Sequence, residues 1–205
     1  MLGNAPFANI PNAGQNQCPD SRIASAIIQG RKKLIRLPII PEELEIAQTE
    51  SKKMGTLKGS ILNGEGNVAG FLGELAVHRY FGYLDSKRNN TFNHDLILGG
   101  FRFDVKTKRR TVLPTPDYCG TIPDYQKQQD CQGYIFTSVQ YQEKIPVNVT
   151  LCGWLGKPSF FRDATFFKKG DVNPENGWVC SLDCWCLRYR SMKDIQSLEC
   201  GLLFK

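Results

Sequence analysis

Three acids and a lysine in the middle third of the chain are residue types that handle phosphate chemistry: Glu74, Asp95, Asp104 and Lys106. Asp95 lies in His94-Asp95-Leu96, and Asp104-Val105-Lys106 follows just beyond Gly99-Gly100. A glycine pair between alternating apolar stretches is a strong signal for a two-residue hairpin. With those glycines as the loop, Leu98 faces Phe101 and Asp95 lies opposite Asp104. One face of the hairpin then carries Leu96, Leu98, Phe101, Phe103 and Val105. The other carries Asn93, Asp95, Arg102, Asp104, Lys106 and Lys108. Carboxylates facing each other with Cβ atoms roughly 5 Å apart repel. A divalent cation such as Mg²⁺, which prefers hard oxygen ligands, offsets that repulsion. Lys106, on the same face, points at the same spot. Two acids and a lysine around one cation suit phosphodiester hydrolysis. The metal neutralises the phosphate and acidifies a bound water, and the lysine orients the nucleophile or steadies developing charge. The competing reading is a solvated hairpin face where Asp95 and Asp104 pair with Arg102, Lys106 and Lys108. From the hairpin alone both stay open.

The preceding segment favours the first reading. Val68, Leu72, Leu75 and the stem of Arg79 recur at helical spacing over Glu65 to Phe81, and Gly82 stops the helix. Within it Glu74 sits in the mostly apolar run Gly70 to Val77, where a solvated charge is out of place. Gly70 and Gly73 each cost a helix about 1 kcal/mol against alanine. Small residues there let the helix approach a sheet closely, so Glu74 can reach the hairpin acids as a third ligand. The alternative for Glu74 is an exposed helix edge. His78, one turn on, is expected on the helix surface or beside the ligands rather than among them.

These residues resemble the PD-(D/E)XK nuclease superfamily, which places a helix glutamate, then an aspartate, then an acid-x-lysine on adjacent strands. The matches are Glu74 in Gly73-Glu74-Leu75-Ala76, Asp95 in His94-Asp95-Leu96, and Asp104-Val105-Lys106. The surroundings of the helix, from Gly66-Asn67 onward, are similar to phage and bacterial members. No proline precedes Asp95, and the second acid is Asp where Glu is commoner; the family tolerates both. The resemblance covers roughly residues 60 to 155. It implies an α/β fold of restriction-endonuclease-like type, a mixed sheet flanked by helices with the site at one edge. It further implies that Asp95 and Asp104 bind Mg²⁺ or Mn²⁺ with help from Glu74 and the Val105 carbonyl, and that Lys106 works on the attacking water. The implied substrate is DNA, with RNA less favoured; a homodimer stays open.

The totals are compatible with this. The 205 residues carry a net charge of +6, which allows a polyanionic partner without demonstrating one. Lysine and arginine cluster at 31–33, 52–53, 106–110 and 168–169, with Lys108, Arg109, Arg110 and Gln126 as candidate DNA contacts. The expected organisation is a flexible N-terminal arm, 1–20, and one domain over 21–205. No apolar run approaches the roughly 18 residues that span a bilayer. Met1 to Cys18 lacks the blocks of a signal peptide, so a cytoplasmic location is expected. In that compartment the eight cysteines are thiols, metal ligands or buried apolar residues rather than disulfides.

Elsewhere the pattern predicts helices over Arg22–Gly30 and Pro41–Met54. Strands are expected over Thr91–Leu98, Phe101–Lys108, Tyr134–Val139 and Val147–Trp154, with a short helix near Asp124–Asp130. The tail from Trp178 reads as a strand and then a short helix bearing Met192, Ile195 and Leu198. Cys180, Cys184 and Cys186, with Cys200 beyond, could form part of a zinc or iron–sulfur site, but their spacing fits no standard zinc pattern. Cys119 and Cys131 are a weaker candidate pair. Trp154, Phe160, Phe161, Phe166 and Phe167 are base stackers or, more commonly at this density, core. Two other functions therefore compete with a nuclease: a nucleic-acid-binding module without catalysis, and a structural metal protein built on the C-terminal cysteines.

Overall fold

Alternation and glycine punctuation set the strands, and pairing between distant segments sets the layers. The computed structural model describes residues 32–54, 65–82, 87–88, 93–174 and 177–198. In chain order these form strand β1 (Ile35–Pro38), helices α1 (Pro41–Met54) and α2 (Glu65–Tyr80), and strands β2 (Lys87–Arg88), β3 (Leu96–Leu98) and β4 (Phe101–Arg110). Strand β5 (Cys119–Pro123) leads into a 3-10 turn, Asp124–Gln128. Then come β6 (Gly133–Gln142), β7 (Ile145–Gly156), helix α3 (Lys157–Asp163), β8 (Thr165–Phe167) and β9 (Cys184–Arg188). The predicted helix Arg22–Gly30 and the N-terminal arm lie outside the described residues.

The main sheet has the order β1-β7-β6-β4-β3-β2. Every neighbouring pair is antiparallel except β4 and β6, which run parallel. A parallel pair needs a crossover, and here it is the segment between Arg110 and Gly133, with β5 and the 3-10 turn inside it. β5 does not join the main sheet. It pairs with β9, and β8 completes a second, three-stranded sheet in the order β5-β9-β8.

The double-glycine loop is as predicted. Gly99 and Gly100 have φ of 54° and 81°, the pair of positive values a tight hairpin turn demands. Leu98 faces Phe101, Ile97 faces Arg102 and Leu96 faces Phe103. β3 is shorter than predicted, however: Asn93 and Asp95 sit in bends before it, and 91–92 lie outside the described residues. β4, β6 and β7 are longer than predicted. The sequence pattern missed β1, β2, β5, α3 and β8. Gly120 and Pro123 are poor strand formers, so β5 owes its state to pairing with β9. α3 spans only Lys157–Asp163, too short for periodicity to show.

Both faces of the sheet are covered. On one, Phe71, Leu72, Leu75 and Ala76 of α2 pack with Phe103, Val105, Ile135, Val139, Val149 and Leu151. On the other, Tyr134, Phe136, Cys152 and Leu155 meet Ile122, Phe160, Leu187 and Tyr189 of the smaller sheet, α3 and the segment after β9. β6 therefore feeds both cores by simple alternation, and Gly133 to Val139 are all buried. α1 is fastened to α2 by Arg79, which donates to Glu43 Oε1 (2.7 Å), Glu43 Oε2 (3.2 Å) and the Pro38 carbonyl (2.7 Å). In the tail, a helical turn at 195–198 follows β9, with Ile195 and Leu198 in the α2 core and Met192 in the other. Among the described residues no helix is long and apolar enough to cross a membrane.

Candidate active site

β4 sends alternate side chains to opposite faces. Val105 joins the apolar core under α2, and Thr107 Oγ1 meets Thr137 Oγ1 at 2.8 Å on that side. Asp104, Lys106 and Lys108 project the other way, beneath the crossover segment. Asp104 is only 4% exposed, so it does not lie on a solvated hairpin face, although it is paired with Lys106 as the competing reading expected.

The 3-10 turn holds the acid and the lysine together. Gln129, itself 3% exposed, donates from Nε2 to Asp104 Oδ1 at 3.0 Å. Its Oε1 accepts from Lys106 Nζ at 3.2 Å, and Gln126 Oε1 accepts from the same ammonium at 2.8 Å. Lys106 Nζ lies 2.5 Å from Asp104 Oδ2, and 5.8 Å from the centre of the Tyr134 ring. The short contact is an ion pair without hydrogen-bond alignment, because Oδ2 is buried and receives no aligned donor. Gln129 is kept in place by its own backbone. Its N–H donates to the Gln126 carbonyl at 3.0 Å, and its carbonyl accepts from Lys157 Nζ of α3.

Asp95 enters from the start of β3. Its N–H donates to the Phe103 carbonyl at 3.0 Å, and its Oδ2 accepts from the Val105 N–H at 2.7 Å. The carboxylate is thus turned onto the backbone of the Asp104-Val105-Lys106 run. Burial, then the charge of Asp104, then that of Glu74 push its pKa up to about 8, against the opposing pull of the Val105 N–H and Lys106. Two carboxylates therefore bear on Asp95, one from each neighbouring element.

Glu74 is positioned by Gly73. A Cβ at residue 73 would lie 2.1 Å from Thr107 Oγ1 and 2.6 Å from Thr137 Oγ1, so only glycine lets α2 approach the sheet this closely. Gly70 is different: a Cβ there meets nothing within 4 Å among the described residues. Half-buried Glu74 follows directly on the close approach, and His78 lies half-buried one turn later.

The other sequence candidates scatter. Arg109 stacks over the Tyr141 ring at 4.4 Å, while Arg110 stacks over Tyr118 at 4.5 Å and Lys108 lies 5.7 Å from Trp178. Alternation along β4 thus turns Arg109 towards Tyr141 and leaves Lys108 and Arg110 together on the other face. Gln126 is engaged with Lys106. Phe160 stacks on Phe136 with ring centres 5.3 Å apart, and Trp154 meets Phe103 edge-on; these aromatics are core. Phe166 is 37% exposed.

Cys180 Sγ and Cys184 Sγ lie 3.3 Å apart, whereas Cys186 hydrogen-bonds across the small sheet to Cys119. Cys131 bonds to Tyr134 instead of Cys119. No protein-family model matches the chain, and no curated protein matches it in sequence. What the site can do is therefore a matter of its own chemistry.

Its oxygen donors fit a hard divalent cation. Asp104 Oδ2 is a buried carboxylate oxygen without an aligned donor, and Asp95 is held beside it under repulsion from two acids. Mg²⁺ is commonly held by one or two carboxylates with waters completing its shell. Among the described residues no three His, Cys, Asp or Glu side chains form a group that could hold a metal ion. Gln129 is the residue that sequence reasoning missed. Its one signal was a glutamine-rich stretch, and nothing in that stretch says which glutamine turns inward.

Proposed function

We propose that this chain is a metal-dependent nuclease that hydrolyses DNA phosphodiester bonds through a PD-(D/E)XK-type site on a restriction-endonuclease-like sheet. One observation carries the reading: the half-buried Asp95 carboxylate accepts from the Val105 N–H, against a run in which buried Asp104 is paired with Lys106. The order of elements supports it. A helix acid precedes the aspartate, and the acid-x-lysine lies on the next strand, as the resemblance asks. The net charge of +6 suits a polyanionic substrate.

Asp95 and Asp104 would hold Mg²⁺ or Mn²⁺, with the Val105 carbonyl available as a further oxygen. When bound, the ion supplies neutralisation of the phosphate and a more acidic water. The chain's own residues supply the rest. Gln129 clamps Asp104 and Lys106 in one geometry, since its amide donates to the first and accepts from the second. Lys106 is held with its ammonium beside Asp104, where it can orient a water or meet a non-bridging phosphate oxygen. Glu74 adds negative charge next to Asp95, which favours a cation there. Burial keeps bulk water out and strengthens each of these interactions.

The test is cleavage of linear, circular, single-stranded and branched DNA, with an RNA control, in Mg²⁺ or Mn²⁺. Metal-dependent cutting that disappears in Asp104→Ala and in Lys106→Ala is expected. Cutting that survives both substitutions sinks the site assignment. Salt-sensitive DNA binding with no cutting under any metal would favour a non-catalytic binding module instead.

A further inference from the structure

Past Lys106 the same face of β4 opens into a cleft of about 690 Å³, lined among others by Lys108, Arg110, Tyr118, Trp178 and Arg188. That volume falls within the roughly 300–1,000 Å³ of small-molecule sites. Among the described residues the lining is one-sided in charge: its one acid, Asp117, is ion-paired to Arg190. Lys108 is the telling residue. Burial and then the neighbouring Arg110 lower its pKa, the thiols of Cys186, Cys184 and Cys119 oppose that fall, and among the described residues no carboxylate is ion-paired to it. A cation withdrawn from water without a counter-charge costs free energy that a bound anion recovers. Two aromatic rings flank the basic groups: Trp178 lies 5.7 Å from Lys108 Nζ, and Tyr118 lies 4.5 Å from the Arg110 guanidinium.

We propose that this cleft seats one unpaired nucleotide of the strand being cut, its phosphate on Lys108, Arg110 and Arg188 and its base against Trp178. Lys106 and Lys108 are two residues apart on one strand face, about 7 Å, which is one nucleotide step along an extended strand. Aromatic stacking accepts any base, so the cleft recognises unpaired strand rather than sequence. The identity of the strand rests on the nuclease reading, but occupancy of the cleft needs neither metal nor cleavage.

The two are separable by experiment. In EDTA, the full-length protein is titrated with a 5′-phosphorylated oligothymidylate, its unphosphorylated twin, a blunt duplex and inorganic phosphate, following tryptophan fluorescence and a labelled-oligonucleotide anisotropy. Single-stranded oligonucleotide is expected to bind at least tenfold more tightly than blunt duplex or inorganic phosphate. Lys108→Met and Trp178→Ala should each weaken it about tenfold, with Trp178→Phe restoring most of the loss. Tighter binding of the phosphorylated twin places a strand end in the cleft; equal binding of the twins places an internal nucleotide there. Both support the proposal. Equal affinity for blunt duplex, or binding indifferent to Lys108→Met and Trp178→Ala, overturns it. Oligonucleotide binding that depends on both residues, without cleavage under any metal, would leave the cleft standing and remove the nuclease. Cleavage that both variants retain, with no metal-free binding, would do the reverse.

Discussion

The two faces of β4 are built from the same ten-residue strand and obey opposite rules. Towards α2 the strand presents Val105 and Thr107 to a helix that comes so close that residue 73 has no room for a Cβ. Towards the crossover it presents Asp104, Lys106 and Lys108 to a turn and a small sheet that hold them with amide and aromatic groups. The first face is stabilised by packing, which is non-directional and tolerates exchange of one apolar group for another. The second buries charge, which is tolerated only where partners are fixed in place. The difference teaches where fold and function separate: substitutions on the α2 side should cost stability, and those on the crossover side should cost chemistry.

The largest expected effect tests the polar face. Asp104→Ala and Lys106→Ala should each lower the cleavage rate by about 10²–10³-fold or more, while circular dichroism still reports a folded chain. Loss of fold in both would mean that this face serves stability after all. Next comes the apolar face: Gly73→Val should destabilise by roughly 1–3 kcal/mol, the usual cost of overpacking, measured by urea unfolding. A neutral result would show that α2 is not docked as closely as Thr107 and Thr137 imply. Gln129→Leu keeps the bulk but removes the bonds to Asp104 and Lys106. It should weaken Mg²⁺ affinity or activity by about 10–100-fold, as loss of a partner behind a metal ligand does, and calorimetric metal titration reads it directly.

A pH effect belongs to the polar face alone. The Asp95 carboxyl rises from 3.8 when unfolded to about 8 in the fold, first through burial and then through Asp104 and Glu74. The folded chain thus binds this proton more tightly than the unfolded one. The stabilisation is complete below pH 4 and is lost as pH climbs to about 8. In EDTA, Asp95→Asn should therefore raise the melting temperature relative to wild type more at pH 8 than at pH 5. A difference that shrinks with pH would have the wrong sign. The smallest change sharpens the contrast within α2: Gly70→Ala, with open space around it, should stabilise by about 0.5–1 kcal/mol and leave cleavage unaltered.

Much of this was legible in the residues themselves. Gly99-Gly100 and the flanking alternation fix the hairpin register, and with it the placing of Asp104, Lys106 and Lys108 on one side of the strand. The split between Lys108 and Arg109 followed from the same alternation, although the clustering of charge in sequence hid it. α2 declared itself by its periodicity, and its glycines announced a close approach. The reason for Gly73 is now specific, whereas Gly70 has no such steric reason. Those properties are local: a turn, a period of two and a helical period are set within a few residues of chain.

Burial of the polar face is not local. It depends on β5, the 3-10 turn and β9, which carry weak signals and find their places only by pairing with one another. Nothing near Asp104 in the sequence says that Gln129 will close over it, that Lys108 will sit among thiols and a tryptophan, or that a cleft will open beside the site. By itself the sequence determined which side chains share a face. Only the tertiary structure decided what that face meets, because burial and charge balance are summed over segments that the chain brings together from far apart.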